Sequence, residues 1–514
     1  MTKKLNIGII DLVSKKPNKA LFARIMNANF ASIMPQVIGV WCEEEGHNVK
    51  YICYTGVENL INEIPDNLDL VFIGAFTEAA QTAYALSNLL RSRGAVTVLG
   101  GPHARCYPDD ACKYFDYVTG FTNRDIINEI LYDCAPHRPI GNYLSASKQP
   151  LSLPGVKERW KFIESALKKA PLIKMVPMLG SLGCPYTCSF CIDSTVPYQP
   201  LSFEVLKEDL TFLLGKYKRP LVGWHDPNFG IRFDEYMDAV EEVVPPDSID
   251  FIAESSLSLL SEPHVKRLRR NGFKAMLPGI ESWYDLGGKS KTGSRTGLDK
   301  VKVVSEQINM ILQYMPYVQT NFVLGLDSDK GEEPFELTKK FVDMTPGAFP
   351  GYSLLSAFGQ AAPLNLDYQR DNRVLPFPFH FLNNNNAMNV IPANYSWPEF
   401  YSHVIGLGEH TFSWGAIAKR LVATKAFIPR WMNVVRAVSE EGFGRLAFNK
   451  KIYSNLINDK EFRDYFEQKT EVLPPMYLDM IKKELGPLWD WLPEGAVYHD
   501  QNSYLKTTEK RIAV

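Results

Sequence analysis

Twice along this chain a short apolar run gives way to a helical stretch and then to another apolar run. That rhythm restricts the fold more than any single residue does. The first series is LNIGIIDLV (5–13), a helical SIMPQVIGVWCEEEG (32–46), NVKYICYTG (48–56), DLVFIGAF (69–76), a helical EAAQTAYALSNLLRSRG ending at Gly94, AVTVLGG (95–101), FDYVTGF (115–121) and DIINEILYDC. Strand–helix alternation with short loops predicts an α/β unit over 1–135, a doubly wound parallel sheet of Rossmann-like form. Such sheets bind ligands at the carboxyl ends of their strands. A second series begins at PMLGSLG (177–183) and continues through LVGWHD (221–226), IDFIAESS (249–256), AMLPGIES (275–282), VQTNFVLGL (318–326) and YSLLSAFG (352–359), with helical text such as EPHVKRLRRNG (262–272) between. Six strands with crossovers predict a partial (βα)6 TIM-like barrel over 176–375, its site at the strand C-termini. Residues 136–175, with three prolines in HRPIGNYLSASKQPLSLPGVKERW, read as a linker. From 376 the Pro- and Asn-rich FPFHFLNNNNAMNVIPANYSWPEF leads into aromatic-rich helical text, a mostly helical C-terminal region or cap over 376–514.

Bulk properties exclude some classes. The 514 residues are 45% hydrophobic and carry a net charge of −2, and the early basic pairs Lys3-Lys4 and Lys15-Lys16 read as solvated rather than as a binding patch. A nucleic-acid partner is therefore not expected. Asp11 interrupts the first apolar run, so MTKKLNIGIIDLV reads as a first strand and not as a signal peptide. No window of about 18 uninterrupted apolar residues suggests a spanning helix. The expected location is the cytoplasm.

Eight cysteines occur, and three of them, Cys184, Cys188 and Cys191, fall within eight residues straight after a strand and the loop Gly180-Ser181-Leu182-Gly183. A secreted disulfide framework would spread its cysteines through a small domain. Thiolates ligate iron–sulfur clusters, and three ligands on a four-iron cubane leave one iron open to a chelating substrate. Structural zinc usually wants four ligands; no later cysteine pair exists, which leaves only a histidine such as His225 or His264 to complete such a site.

The spacing Cys-x3-Cys-x2-Cys, with Phe190 before the last cysteine, resembles the defining motif of the radical S-adenosylmethionine superfamily. The resemblance implies a [4Fe-4S] cluster whose open iron binds the amino and carboxylate groups of S-adenosylmethionine. One electron then breaks a carbon–sulfur bond to give methionine and a 5′-deoxyadenosyl radical. Later segments are similar to that family in the expected order. Trp224-His225-Asp226-Pro227-Asn228-Phe229 falls where the family contacts the methionine amino group, and resembles the Asp-x-x-Phe form rather than Gly-Gly-Glu. Asp226 and Asn228 would equally serve as strand-end caps. Gly279-Ile280-Glu281-Ser282 is similar to the ribose-contacting strand end, where Glu281 could accept both ribose hydroxyls or hold a salt bridge. Asn321-Phe322-Val323-Leu324-Gly325-Leu326 looks like the strand against which adenine packs; Phe322 and Val323 also suit plain barrel core.

An α/β sheet ahead of such a barrel resembles the cobalamin-binding subgroup. Gly100-Gly101-Pro102-His103 matches that subgroup's segment, and Thr77 sits where its domains place small hydroxyl residues. Paired glycines let backbone approach a bulky ligand, or make a tight turn; His103 could approach a corrin edge or be a hydrogen-bonded structural residue. Two departures stand out: no Asp-x-His-x-x-Gly is present, and Gly120-Phe121-Thr122-Asn123 replaces Gly-Glu-Gly-Glu. A dinucleotide site is excluded by the lack of Gly-x-Gly-x-x-Gly after the first strand. The resemblance implies methylation of an unactivated carbon with cobalamin as cofactor. Cyclisation, rearrangement and cobalamin-free chemistry are its alternatives, and an iron–sulfur redox sensor is the non-enzyme one. It also implies a small-molecule, lipid or peptide substrate and an electron donor such as flavodoxin or ferredoxin. Aromatic residues of the last region, Phe377, Phe379, Tyr395, Trp397, Phe400 and Tyr401, could line a pocket or form core.

Overall fold

The computed structural model describes residues 3–18, 20–134, 141–285, 287–383, 385 and 387–500. Six strands, β1 (Asn6–Leu12), β2 (Asn48–Tyr54), β3 (Leu70–Ala75), β4 (Val96–Gly100), β5 (Tyr117–Thr119) and β6 (Asn142–Leu144), form a sheet in the order β2-β1-β3-β4-β5-β6, each neighbouring pair parallel. The order turns back between β1 and β3, so a crevice opens at their carboxyl ends. Strands β1 and β3 are buried almost throughout because helices cover both faces. Helices Ile33–Glu44, Arg124–Asp133 and Val156–Leu167 share one core with the outer face. On the other face Ala80–Ser92 belongs to a core that runs on without a break into the second sheet and the C-terminal helices.

The segment read as a linker is built into this first unit. Residues 136–140 lie outside the described residues, but Asn142–Leu144 adds an edge strand and Val156–Leu167 packs Phe162 against Tyr51 of β2 at 5.5 Å. The prolines misled the reading: they precede the helix, and Gly155 starts it with Glu158 accepting the Gly155 amide at 2.9 Å.

Strand β7 (Met175–Met178) opens the second unit. A small antiparallel ribbon, β8 (Ser181–Leu182) with β9 (Gln199–Pro200), follows, then β10 (Leu221–Trp224), β11 (Asp250–Ser256), β12 (Phe273–Glu281), β13 (Tyr317–Leu324) and β14 (Phe349–Leu354). The six long strands are parallel in the order β14-β13-β12-β11-β10-β7, the topology of a partial (βα)6 barrel. Side chains alternate: on β13 Val318, Thr320, Phe322 and Leu324 are buried toward the helices, while Gln319, Asn321 and Val323 face the half-open interior.

Helices Trp397–Thr411, Trp414–Ala423, Phe427–Val438, Arg445–Asn458, Lys460–Phe466 and Pro475–Leu485 make the C-terminal region helical as expected. Its six aromatics named above are all buried and make core, not an open pocket wall. Lys15 is buried too: it donates to the His380 carbonyl at 2.5 Å and stands 3.3 Å from Glu78, while Lys16 pairs with Glu484 at 2.8 Å. The second basic pair thus ties the first sheet to the C-terminal region and is not a solvated face.

Candidate active site

The three cysteines sit on a loop held at its base. Ribbon β8/β9 closes residues 183–198 into a hairpin loop beyond β7, which places it at the carboxyl end of the barrel. Gly183 has φ 66°, and a Cβ there would lie 2.5 Å from the Val196 and Pro197 carbonyl oxygens, so the entry to Cys184 demands glycine. Asp226, at the end of β10, accepts the Gly180 amide at 2.9 Å and the Ser181 hydroxyl at 2.6 Å. Burial pushes its carboxyl up to about 6, and these hydrogen bonds act against that rise. Both oxygens are therefore committed to the base of the cysteine loop. Asn228 is equally engaged: its amide donates to the Ser256 hydroxyl and its oxygen accepts the Ser256 amide, each at 2.9 Å, stitching β10 to β11. In this conformation Asp226 supports the cysteine loop and Asn228 joins two strands.

Within the loop, the Cys191 amide donates to the Cys188 carbonyl at 3.0 Å, and the Asp193 amide reaches the Cys191 Sγ at 3.4 Å. An amide donor on sulfur stabilises a thiolate ligand and is a recurrent tuning device in iron–sulfur centres. All three thiols and Phe190 are half-buried. Burial raises the Cys188 thiol and brings Cys191 up to about 11. Metal uptake would have to displace their protons. Among the described residues no three His, Cys, Asp or Glu side chains stand close enough to hold a metal ion as they are. The donor types, their half-exposure and the amide-to-sulfur bond fit a cluster once the loop draws its thiols together.

Opposite the loop, at the end of β12, the register with β13 slips between Gly279 and Glu281, and Glu281 adopts φ 64°. A non-glycine side chain held there stores strain of order 1–3 kcal/mol. The kink turns Glu281 to accept from Lys289 Nζ at 2.7 Å. Burial works against the Lys289 ammonium, but Glu281 outweighs it, with Cys188 and Cys191 adding, and the net shift is upward. Lys289 is thus a cation beside the cysteine loop, one that no sequence motif marks. Ser282 is buried; its hydroxyl accepts the Tyr284 and Asp285 amides and its carbonyl accepts Lys300 Nζ at 2.6 Å, so it shapes the turn. Glu254 faces the interior from β11. It is reachable by solvent yet enclosed by protein, and that enclosure, with Glu281 adding, raises its carboxyl. Its position follows from the alternation of β11, where Ile252 and Glu254 share the inner face. Of the expected adenine contacts, Val323 faces the interior. Phe322 does not: it packs outward against Trp283, Phe341 and Tyr352, as the strand's two-residue period dictates.

The carboxyl edge of the first sheet comes close to this loop. Arg105 pairs with Asp193, two residues beyond Cys191, at 3.2 Å. Leu364 donates its amide to the Ser189 carbonyl at 3.1 Å, so the segment after β14 also holds the loop. Gly101 has φ 95°, with a would-be Cβ 2.9 Å from the Ala75 carbonyl oxygen; the Gly100-Gly101 pair makes a tight approach of β4 to β3. Pro102 starts the short helix Pro102–Cys106. His103 is fully buried, its Nε2 at 2.7 Å from the Tyr84 hydroxyl, which in turn donates to Asp110 at 2.8 Å. Burial lowers the imidazole to about 3, so it is neutral. Thr77 is buried beside Cys106. What this edge does expose is Phe76, with Phe121 beneath Arg105. Asn123 of the departed segment caps the following helix by accepting the Ile126 amide.

The carboxyl edge of a doubly wound sheet therefore meets a partial barrel that bears three thiols. No protein-family model matches the chain. It is 24% identical over 299 residues to bacteriochlorophyllide d C-12(1)-methyltransferase of Chlorobaculum tepidum, covering 56% of this chain and 64% of that protein. It is 26% identical over 226 residues to the C-8(2)-methyltransferase of the same organism, covering 42% of this chain and 50% of the relative. The matches therefore span less than two thirds of either relative. Among solved structures it is similar to the cobalamin-dependent S-adenosylmethionine radical enzyme OxsB (TM-score 0.55, 13% identity, 99% of this chain and 83% of that one). It is also similar to the radical S-adenosylmethionine methyltransferase TsrM of Kitasatospora setae with cobalamin and [4Fe-4S] cluster bound (0.53, 13%, 76% and 79%). The chain has the fold of the cobalamin-dependent radical S-adenosylmethionine enzymes.

Proposed function

We propose that this protein is a radical S-adenosylmethionine enzyme, a cobalamin-dependent methyltransferase acting on an unactivated carbon. The observation that carries the reading is the Cys184–Cys188–Cys191 loop, placed at the barrel's carboxyl end and joined through Arg105–Asp193 to the carboxyl edge of the first sheet. Cys184, Cys188 and Cys191 would hold a [4Fe-4S] cluster. When bound, that cluster supplies the electron that breaks a carbon–sulfur bond of S-adenosylmethionine, and cobalamin supplies the methyl group; this hard chemistry is the cofactors' own.

The chain's residues position and enclose. Asp226 fixes the loop base, Asn228 ties β10 to β11, Lys289 offers positive charge to a carboxylate, and Glu281 and Glu254 offer acceptors to hydroxyls at the mouth. Phe76 and Phe121 give the first sheet's edge an apolar face for a corrin. On this reading 1–135 with its added edge strand carries cobalamin, 176–375 carries cluster and S-adenosylmethionine, and 376–514 covers both. Two relatives are named as methyltransferases of bacteriochlorophyllide d, which favours a small-molecule substrate over a peptide. An electron donor of the flavodoxin or ferredoxin kind completes the system. No helix among the described residues is long and apolar enough to cross a membrane.

The test is anaerobic reduction with S-adenosylmethionine and reconstituted protein, followed by mass spectrometry. The expected products are 5′-deoxyadenosine and methionine, lost in Cys188→Ala while the fold is kept; full activity in that variant refutes the assignment. An absorption spectrum after loading with hydroxocobalamin separates this reading from a cobalamin-free one.

A further inference from the structure

The hairpin of helices Trp414–Ala423 and Phe427–Val438 leaves large apolar side chains open, although Trp414 sets its ring edge-on to Phe443 at 5.3 Å. Val422 is 80% exposed, Phe427 73%, Trp414 69%, Ile428 64% and Trp431 50%. Large apolar residues left this open and gathered on one hairpin mark a contact surface. They are not scattered. Trp414 and Val422 recur at i and i+8 on the first helix, and Phe427 and Trp431 at i and i+4 on the second, their rings 6.4 Å apart. Val422, Phe427 and Ile428 flank the connection Thr424–Ala426, so the greasiest part is the hairpin's tip.

Charge identifies the occupant. Residues 414–438 contain Lys419, Arg420, Lys425, Arg430 and Arg436 and no aspartate or glutamate. Two of these serve the interior. Arg420 is 2% exposed and donates to the Ala348 carbonyl at 3.1 Å; Arg436 pairs with Glu441 and bonds Gln319. Their function accounts for the buried face. Lys419 and Lys425 stand exposed beside the apolar tip, with Arg430 half-exposed; Asp343 approaches Lys419 only to 4.0 Å. Tryptophan, phenylalanine and isoleucine on one side with lysine and arginine around them is the composition of helices that lie in a membrane interface. A protein partner of comparable fit would need a matching acidic apolar groove, whereas an anionic lipid surface supplies both features at once.

We propose that this hairpin docks the protein on an anionic membrane surface, its tip entering the boundary between headgroups and acyl chains. The absence of any spanning helix among the described residues agrees with lying on the bilayer rather than crossing it. The docking is independent of what the cofactors do.

The test is co-sedimentation of the full-length protein with vesicles of phosphatidylcholine alone and of phosphatidylcholine with 30% phosphatidylglycerol as probes. The expected result is binding to the anionic vesicles, weakened about five-fold per charge by Lys419→Glu and Lys425→Glu, and abolished by Phe427→Ser/Ile428→Ser/Trp431→Ser. That triple variant should keep its circular dichroism spectrum and its iron content. Wild-type protein that stays in the supernatant with both vesicle types overturns the proposal. So does a concentration-dependent dimer in vesicle-free ultracentrifugation that the same triple variant dissolves, because a second copy would then be the occupant.

Discussion

Replacing Asp226 separates two roles a carboxylate at this strand end could have. Its oxygens accept the Gly180 amide at 2.9 Å and the Ser181 hydroxyl at 2.6 Å, and it is 2% exposed. Asp226→Ala leaves both donors buried without a partner, which at 1–3 kcal/mol for each stranded group costs about 2–6 kcal/mol. Asp226→Asn behaves differently. Its amide oxygen can keep the Gly180 bond while its NH2 donates to the Ser181 oxygen, so the loop base survives. The charge is what changes. A carboxyl held at about 6 in place of 3.8 penalises the ionised form by about 3 kcal/mol. Because the native state holds the proton more tightly than the unfolded chain, stability from this group is full below pH 3.8 and is lost as pH rises through 6. Asp226→Asn should therefore gain on wild type by up to about 3 kcal/mol between pH 4 and pH 7. The assay is thermal unfolding across that range, with iron per chain after anaerobic reconstitution. Expected are a destabilised, iron-poor Ala variant and an iron-replete Asn variant whose advantage grows with pH. An Ala variant within 1 kcal/mol of wild type and fully loaded with iron would refute the clamp, and direct contact with substrate would then be the better role.

Other outcomes follow from the same geometry. Glu281→Gln should weaken S-adenosylmethionine binding at least tenfold by calorimetry without lowering iron content, since it touches Lys289 and not the thiols. Gly101→Ala, at φ 95° and with Cβ 2.9 Å from a carbonyl oxygen, should cost about 1–3 kcal/mol in thermal unfolding and impair hydroxocobalamin retention. His103→Asn should destabilise the first sheet by about 0.5–1.5 kcal/mol through the lost bond to the Tyr84 hydroxyl, which keeps Asp110, yet leave the absorption spectrum of bound cobalamin unchanged, because the imidazole is buried and no ligand to cobalt.

The strand–helix rhythm was enough to place every strand of the two six-stranded parallel sheets among the described residues except one, because buried parallel strands are continuous apolar runs that local text displays. Asn142–Leu144 escaped: three residues at a sheet edge leave no periodicity to read. The helix Val156–Leu167 could have been found, since Val156, Arg159, Phe162, Ile163, Ala166 and Leu167 are spaced on one helical face; its proline-rich approach hid it. At the site, the cysteine loop was legible as a motif, and so was Glu281. Lys289 was not, because it meets Glu281 only through the left-handed kink and register slip at the end of β12, which no local pattern announces. Between adenine contact and plain core the sequence left Phe322 and Val323 undecided for want of a fixed register, since one residue along a strand exchanges core for interior.

The proposed chemistry rests on an iron that Cys184, Cys188 and Cys191 would leave free for substrate. Electron paramagnetic resonance of the anaerobically reconstituted, dithionite-reduced protein, recorded with and without S-adenosylmethionine, addresses that iron directly. The expected result is about four irons per chain, a reduced-cluster signal that S-adenosylmethionine visibly shifts, and loss of both in the Cys184→Ala, Cys188→Ala and Cys191→Ala variants. A signal indifferent to S-adenosylmethionine, or iron retained when these cysteines are gone, would contradict it.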